Sequence, residues 1–173
     1  MKNNIVLLAV LFSISTFSQV AIGKNSTTNS SVSLEFGNAN KGVILPWVTS
    51  SAATSGAVDG TMIFDIVDKK IKFKSNGSWM DYTTDLTGVV DTKIQNTLQE
   101  NLTAKVAIGK DNSTDTAPGI LVLTDTDKAM ILPKVANPYL NIINPSAGMV
   151  VYDTVSHQMA TFNGTVWSFW KPS

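Results

Sequence analysis

Gly60-Thr61-Met62-Ile63-Phe64-Asp65 returns 88 residues later as Gly148-Met149-Val150-Val151-Tyr152-Asp153. Each stretch opens on a glycine, runs through apolar residues and stops at an aspartate. The blocks around it return in the same order. Upstream, Gln19-Val20-Ala21-Ile22-Gly23-Lys24 recurs as Lys105-Val106-Ala107-Ile108-Gly109-Lys110, at an offset of 86. Lys41-Gly42-Val43-Ile44-Leu45-Pro46 recurs as Lys128-Ala129-Met130-Ile131-Leu132-Pro133, at an offset of 87. Downstream, Asn76-Gly77-Ser78-Trp79 matches Asn163-Gly164-Thr165-Val166-Trp167, with one residue inserted before the tryptophan. Four blocks in one order, with offsets that drift by two residues, mark an internal duplication.

Inside each copy the signals are those of strands. Lys70-Ile71-Lys72-Phe73-Lys74 alternates strictly, which sets Ile71 and Phe73 on one face and three lysines on the other. Asn76-Gly77 is a strong hairpin signal, because both residues tolerate the positive φ of a tight turn. The second copy repeats the plan with Val150 to Tyr152, Met159 to Phe162, Asn163-Gly164 and Val166 to Trp170. Each copy is therefore expected to end in a three-stranded meander. Pro46 and Pro133 lack an N–H, so each is expected to end a strand or to lie at an edge.

Between the copies, Leu86, Val90, Ile94, Leu98 and Leu102 recur every four residues. That spacing predicts a helix, with Asp85 as its N-cap. The predicted architecture is all-β, mainly antiparallel meanders, in two tandem repeats with a short connecting α-helix. Residues 1–18 read as a signal peptide, 19–84 as the first β-rich repeat, 85–104 as the helical connector and 105–173 as the second repeat. At about 65 residues each, the repeats are near the size at which a lone core is marginal. They are expected to bury faces against each other or against other chains.

The signal peptide rests on Lys2, on the apolar run Ile5 to Phe17, and on small residues before a cleavage point between Ser18 and Gln19. The run is too short to span a bilayer, so the expectation is a secreted chain with no membrane insertion after cleavage. There is no cysteine, hence neither disulfides nor a lipidated N-terminal Cys. Thirteen basic residues, all lysines, balance 13 acidic ones and form no dense run. Nucleic-acid binding draws its affinity from clustered basic residues, so no nucleic-acid partner is expected.

Catalytic chemistry finds little to stand on. His157 is the single histidine and falls in an expected turn, so a His-based triad or a multi-His metal site within one chain is excluded. Asp65 and Asp153 occupy matching positions after an apolar strand, where Asp starts turns by bonding the backbone. A carboxylate duplicated in this way reads as scaffold. Asp111, Asp115, Asp125 and Asp127 match no EF-hand spacing. No Gly-x-Ser-x-Gly elbow and no phosphate-binding loop is present. The expectation is a chain that is not an enzyme and takes no cofactor or metal.

The aromatics divide in the same way. Trp79 and Tyr82 align with Trp167 and Trp170. Trp79 and Trp167 read as core residues, and the other duplicated positions Asn76, Gly77, Asn163 and Gly164 read as structural turn positions of the repeat. Trp47 breaks the pattern, and Trp170 lies near the terminus. These two are the candidates for ligand contact, for instance as stacking faces for a sugar.

The series Gln-Val-Ala-Ile-Gly, Lys-Gly-Val-Ile-Leu-Pro, Gly-x-x-x-aromatic-Asp and Asn-Gly-x-Trp resembles that of secreted and cell-surface repeat proteins common in Bacteroidota. In those proteins the motifs often accompany tail-fibre-like or adhesin-like segments. The family usually carries Arg after Leu-Pro, where this chain has Trp47 and Lys134. Asp115-Thr116-Ala117 and Asp153-Thr154-Val155 also resemble the O-glycosylation acceptor of such organisms. The resemblance implies a structural or adhesive surface role with self-association, a trimer by analogy with fibres, or contact with other surface proteins. A carbohydrate-binding module is the alternative, with glycan as its partner.

Overall fold

The computed structural model describes residues 19–99, 101, 104–110 and 114–170. The signal-peptide residues lie outside this set. Module 1 contains β1 (Val20–Ile22), β2 (Val32–Phe36), β3 (Val43–Ile44), β4 (Trp47–Val48), β5 (Met62–Asp65), β6 (Lys70–Ser75) and β7 (Ser78–Asp81). Module 2 repeats the series as β8 (Val106–Ile108), β9 (Leu121–Leu123), β10 (Ala129–Ile131), β11 (Lys134–Val135), β12 (Met149–Asp153), β13 (Gln158–Phe162) and β14 (Trp167–Trp170). One short α-helix, α1 (Pro138–Asn141), precedes β12. The fold is all-β in two copies, as the duplication predicts.

Within each module the two copies share their strand pairings. β5, β6 and β7 form an antiparallel meander, as do β12, β13 and β14. The strand after each proline pairs parallel with the meander: Phe64 N–H donates to Pro46 O and Tyr152 N–H to Pro133 O, both at 2.9 Å. β1 pairs parallel with β2, and β8 with β9. The prolines thus mark where one strand ends and the next begins, which suits a residue with no N–H for a ladder.

The modules are not separate bodies, because they exchange strands. β3 of module 1 pairs antiparallel with β12 of module 2, and β10 of module 2 pairs parallel with β2 of module 1. The core is shared accordingly. Ala147 of module 2 packs with Phe64 and Ile71 of module 1, and Leu45, Trp47, Met62, Ile66, Tyr82 and Val90 pack around them. Module 2 has its own cluster of Val135, Ile142, Met149, Val151, Ala160 and Phe162, with Trp167 against it. Each such large apolar side chain, once buried, contributes about 1.5–3 kcal/mol relative to exposure.

The connector departs from expectation. Among the described residues of 85–104, helical structure is limited to one 3-10 turn at Gln95–Thr97. The run from Asp85 takes no regular secondary structure and lies against the Asn163-Gly164 loop. Val89 N–H donates to Asn163 O at 3.2 Å, Asn163 Nδ2 donates to Asp85 Oδ1 at 2.7 Å, and the Thr87 and Thr165 hydroxyls meet at 2.6 Å. Asp85 caps nothing helical; its Oδ1 accepts from Thr87 N–H in a local turn. The reason is compositional. Gly88 and the β-branched Thr87, Val89, Val90 and Thr92 favour extended chain over helix. A Cβ on Gly88 would come 2.8 Å from both Asn163 O and Lys69 O, so the close approach also needs glycine. Of the apolar stripe, Val90 reaches the core, while Leu86, Ile94 and Leu98 are exposed.

Candidate assembly surface

The duplicated aspartates are structural clamps. Asp65 is 1% exposed and accepts from Asp68 N–H at 3.0 Å and from Ser51 N–H at 2.7 Å. Asp153, also 1% exposed, accepts from Val155 N–H at 2.9 Å, the Ser156 hydroxyl at 2.8 Å and Asn137 N–H at 3.1 Å. One carboxylate thereby holds a hairpin turn and fixes the start of the short helical segment that follows β4 or β11. Burial pushes each carboxyl up, but the N–H donors outweigh it and leave both below the usual carboxylate range. Buried and held by the backbone, neither carboxylate faces solvent.

The lysines of β6 do not form a solvated face. Lys72 is 8% exposed and pairs with Asp68, with Asp81 at 3.3 Å and with Asp65 at 3.8 Å. Burial lowers its pKa, and the hydrogen bonds to Asp68 and Asp81 more than reverse that, holding the ammonium charged. Lys74 Nζ donates to Ala57 O at 2.8 Å and lies 5.8 Å from the centre of the Trp79 ring. Trp79 is therefore a half-buried surface residue under a cation, outside both apolar clusters. At the matching cross-strand position, Trp167 packs on Phe162 with ring centres 5.2 Å apart and joins the module 2 core.

The two ligand-contact candidates have different surroundings. Trp47 is half-buried, and its indole N–H donates to Ala147 O at 2.7 Å across the module boundary. Its ring packs on the shared core, and only an open groove with Ile44, Leu45 and Gln95 remains beside it. Trp170 is 50% exposed, and its ring lies 6.2 Å from that of Tyr82. Phe73 continues this row, 6.4 Å from Tyr82. The buried Tyr82 hydroxyl has no hydrogen-bond partner, and burial pushes its pKa up to about 12.

His157 sits in the β12–β13 turn at φ 56°, with Nδ1 3.5 Å from the Tyr152 hydroxyl. Asp115 pairs with Lys105, and Asp125 accepts from the Ser33 hydroxyl at 2.9 Å, tying module 2 to β2. Asp111 lies outside the described residues. Among the described residues no group of three His, Cys, Asp or Glu side chains is placed to hold a metal ion. No helix of the described residues is long and apolar enough to cross a membrane.

What the sequence reading missed is an apolar face on module 2. Tyr139 and Leu140 of α1, and Ile143 just after it, are 53%, 67% and 85% exposed. Phe169 of β14 is 42% exposed and meets Tyr139 edge-to-face at 6.1 Å. Ile142 turns inward to the core, which fixes this short helix and leaves its neighbours outside. The run Tyr139-Leu140-Asn141-Ile142-Ile143 was the signal in the sequence. With these four apolar or aromatic side chains turned outward, the surface is of the kind that marks an interaction site; Trp170, next to Phe169 on β14, points to the other face of the sheet, toward Tyr82.

No curated protein matches the chain, and neither does any solved structure. Residues 107–172, which hold the whole of this apolar face, are similar to the family described as phage tail like trimerisation region.

Proposed function

We propose that this chain is an exported structural protein that works by self-association, as a trimeric fibre- or adhesin-like component of a bacterial surface. The single observation that carries the reading is the coincidence of the trimerisation-region similarity with the exposed Tyr139, Leu140, Ile143 and Phe169. An apolar surface of this kind gains stability when copies cover it. The clamped aspartates supply rigidity and no reacting group. The motif resemblance to surface proteins of Bacteroidota supports the location. Light scattering coupled to chromatography on the chain from Gln19 tests the assembly. A trimer is expected, and a monomer at every concentration would rule the reading out. Fractionation of producing cells tests the location, with the processed chain expected outside the inner membrane.

A second reading, glycan contact, draws on the half-exposed Trp170 at the end of the Phe73–Tyr82–Trp170 row. Glycan-array binding that vanishes in Trp170→Ala would support it. An array with no hits would remove it.

A further inference from the structure

Of the two strand exchanges that join the modules, the antiparallel one, β3 with β12, is made once in this chain, although each half of it is present twice. β3 leaves module 1 and meets the head of β12, with Val43 opposite Val150 and Ile44 opposite Met149. Leu45 N–H donates to Gly148 O at 2.9 Å. By the repeat, the counterpart of β3 is β10, and the counterpart of the receiving edge is Gly60-Thr61-Met62. β4 covers β5 only from Phe64 onward, just as β11 covers β12 only from Tyr152. In module 2 the receiving edge is closed: Gly148, Met149 and Val150 are buried. In module 1 Gly60 is exposed, and Thr61 and Met62 are half-buried. A Cβ on Gly148 would meet Phe64, Trp47 and Leu45, whereas one on Gly60 would meet nothing within 4 Å.

The donor strand has a matching edge. Ala129 N–H donates to Ser31 O beside β2 at 3.0 Å. The β10–β2 ladder shifts register between Ala129 and Met130, and by the repeat Met130 and Leu132 take the places of Val43 and Leu45, which face β12 in the internal exchange.

We propose that β10 of one copy of this chain pairs antiparallel with the Gly60–Met62 edge of a second copy, repeating between molecules the β3–β12 exchange seen within one. Ile131 then lies opposite Thr61, and Leu132 opposite Gly60. This deepens the assembly reading and rests on it. Two paired changes between the repeats fit the same occupant. Gly42 lies against Met149, where a Cβ would come 2.4 Å from the methionine Cγ. Val151 Cγ1 lies 2.7 Å from the same Cβ; at the counterpart positions Ala129 would face Thr61 in place of Met149 and Ile63 in place of Val151, so the methyl it adds has room on the Thr61 side, where the receiver is shorter. Likewise, Trp47 donates to Ala147 O in the internal exchange. Their counterparts are Lys134 and Asp59, both exposed, so the docked copies bring an ammonium to a carboxylate. Module 2 donates and module 1 receives, so the contact is head-to-tail and closes as a ring when the rotation allows.

The chain has no cysteine, which makes cross-linking a clean test. Ile131 and Thr61 would form a non-hydrogen-bonded cross-strand pair with Cα atoms about 4.5 Å apart, within disulfide reach. Ile44→Cys with Met149→Cys is the internal control and should close within one chain. Ile131→Cys with Thr61→Cys, oxidised, should run as covalent multiples on a non-reducing gel, and the two single variants mixed should give linked pairs only. Lys134→Glu should cut the linkage roughly tenfold, and Asp59→Lys added to it should restore the linkage. Unlinked chains beside a closed control would overturn the pairing. If light scattering still gives a trimer in that case, the assembly reading stands and only the strand-level contact falls.

Discussion

The loops at Asn76-Gly77 and Asn163-Gly164 share a dipeptide and little else. Asn76 and Gly77 both take positive φ, 51° and 72°, and make the tight turn between β6 and β7. Asn163 does not take positive φ, and its buried side chain organises a longer loop. Its Oδ1 accepts from Thr165 N–H at 2.9 Å and Val166 N–H at 2.8 Å, while its Nδ2 grips Asp85. The residue inserted before Trp167 converts a turn that serves its own hairpin into a latch for the connector. Duplication therefore preserved the strands and left the connections free to take new work. The same contrast runs through the cross-strand pairs, where Lys74 over Trp79 stands in place of Phe162 against Trp167.

Substitutions at matched positions sharpen this contrast. The largest difference is expected between Phe64 and Tyr152. Phe64 has no exposed surface and anchors the shared core, so Phe64→Ala should cost about 3–5 kcal/mol by urea denaturation. Tyr152 is half-buried, and Tyr152→Ala should cost about 1 kcal/mol, the centre of the range for point changes. Equal losses would mean that the two cores carry the same weight. Next come the two glycines. Gly164→Ala places a Cβ 2.0 Å from Val89 O and should cost about 3 kcal/mol, freeing the connector to proteolysis. Gly77→Ala meets open space and bears only the strain of positive φ, about 1 kcal/mol. Comparable stability of the two variants would break the latch interpretation.

The clamps should behave alike. Asp65→Ala and Asp153→Ala each remove a buried acceptor from part-buried N–H groups, and each should lower stability by about 1–3 kcal/mol. A loss in one and none in the other would show that the duplicated aspartates have diverged. The smallest effect is in pH. Glu35 of β2, which has no aspartate-clamp role, accepts from Lys24 and from the hydroxyl and N–H of Thr28, which together lower its carboxyl from 4.5 to about 2. Its contribution is complete above about pH 4.5 and is lost as pH falls through about 2. In acid denaturation, Glu35→Gln should flatten this part of the curve. Asp65→Asn and Asp153→Asn should remove their own share of the acid-side slope, which begins only as pH falls below about 3.8 and so overlaps the lower part of the Glu35 window.

The meanders were legible in the sequence because their determinants are local. Alternation in Lys70 to Lys74, the Asn76-Gly77 turn and the strand-ending prolines each act within a few residues. The connector was not. Its every-four apolar spacing suits a helix, but what holds Asp85 to Val89 in an irregular course is Asn163, 78 positions from Asp85 in sequence. The exchange of β3 and β10 is similarly non-local, as is the Trp47 to Ala147 hydrogen bond, which spans 100 positions. Trp79 was misplaced for a related reason: its exposure depends on the lysine across the strand, and the repeat alignment pairs it with a position where that neighbour is phenylalanine. The apolar face of α1 was visible as letters, but only the inward turn of Ile142 shows which of them point out.

One carboxylate in each module ties the start of a variable stretch, Ser51 to Thr61 in one and Asn137 to Met149 in the other, to the turn after the strand that follows it. The first stretch begins with a 3-10 turn, the second with an α-helix, and they share almost no sequence. The frame works as a socket that tolerates different inserts. A lineage bearing such sockets can vary what it displays to its surroundings while its framework stays unchanged.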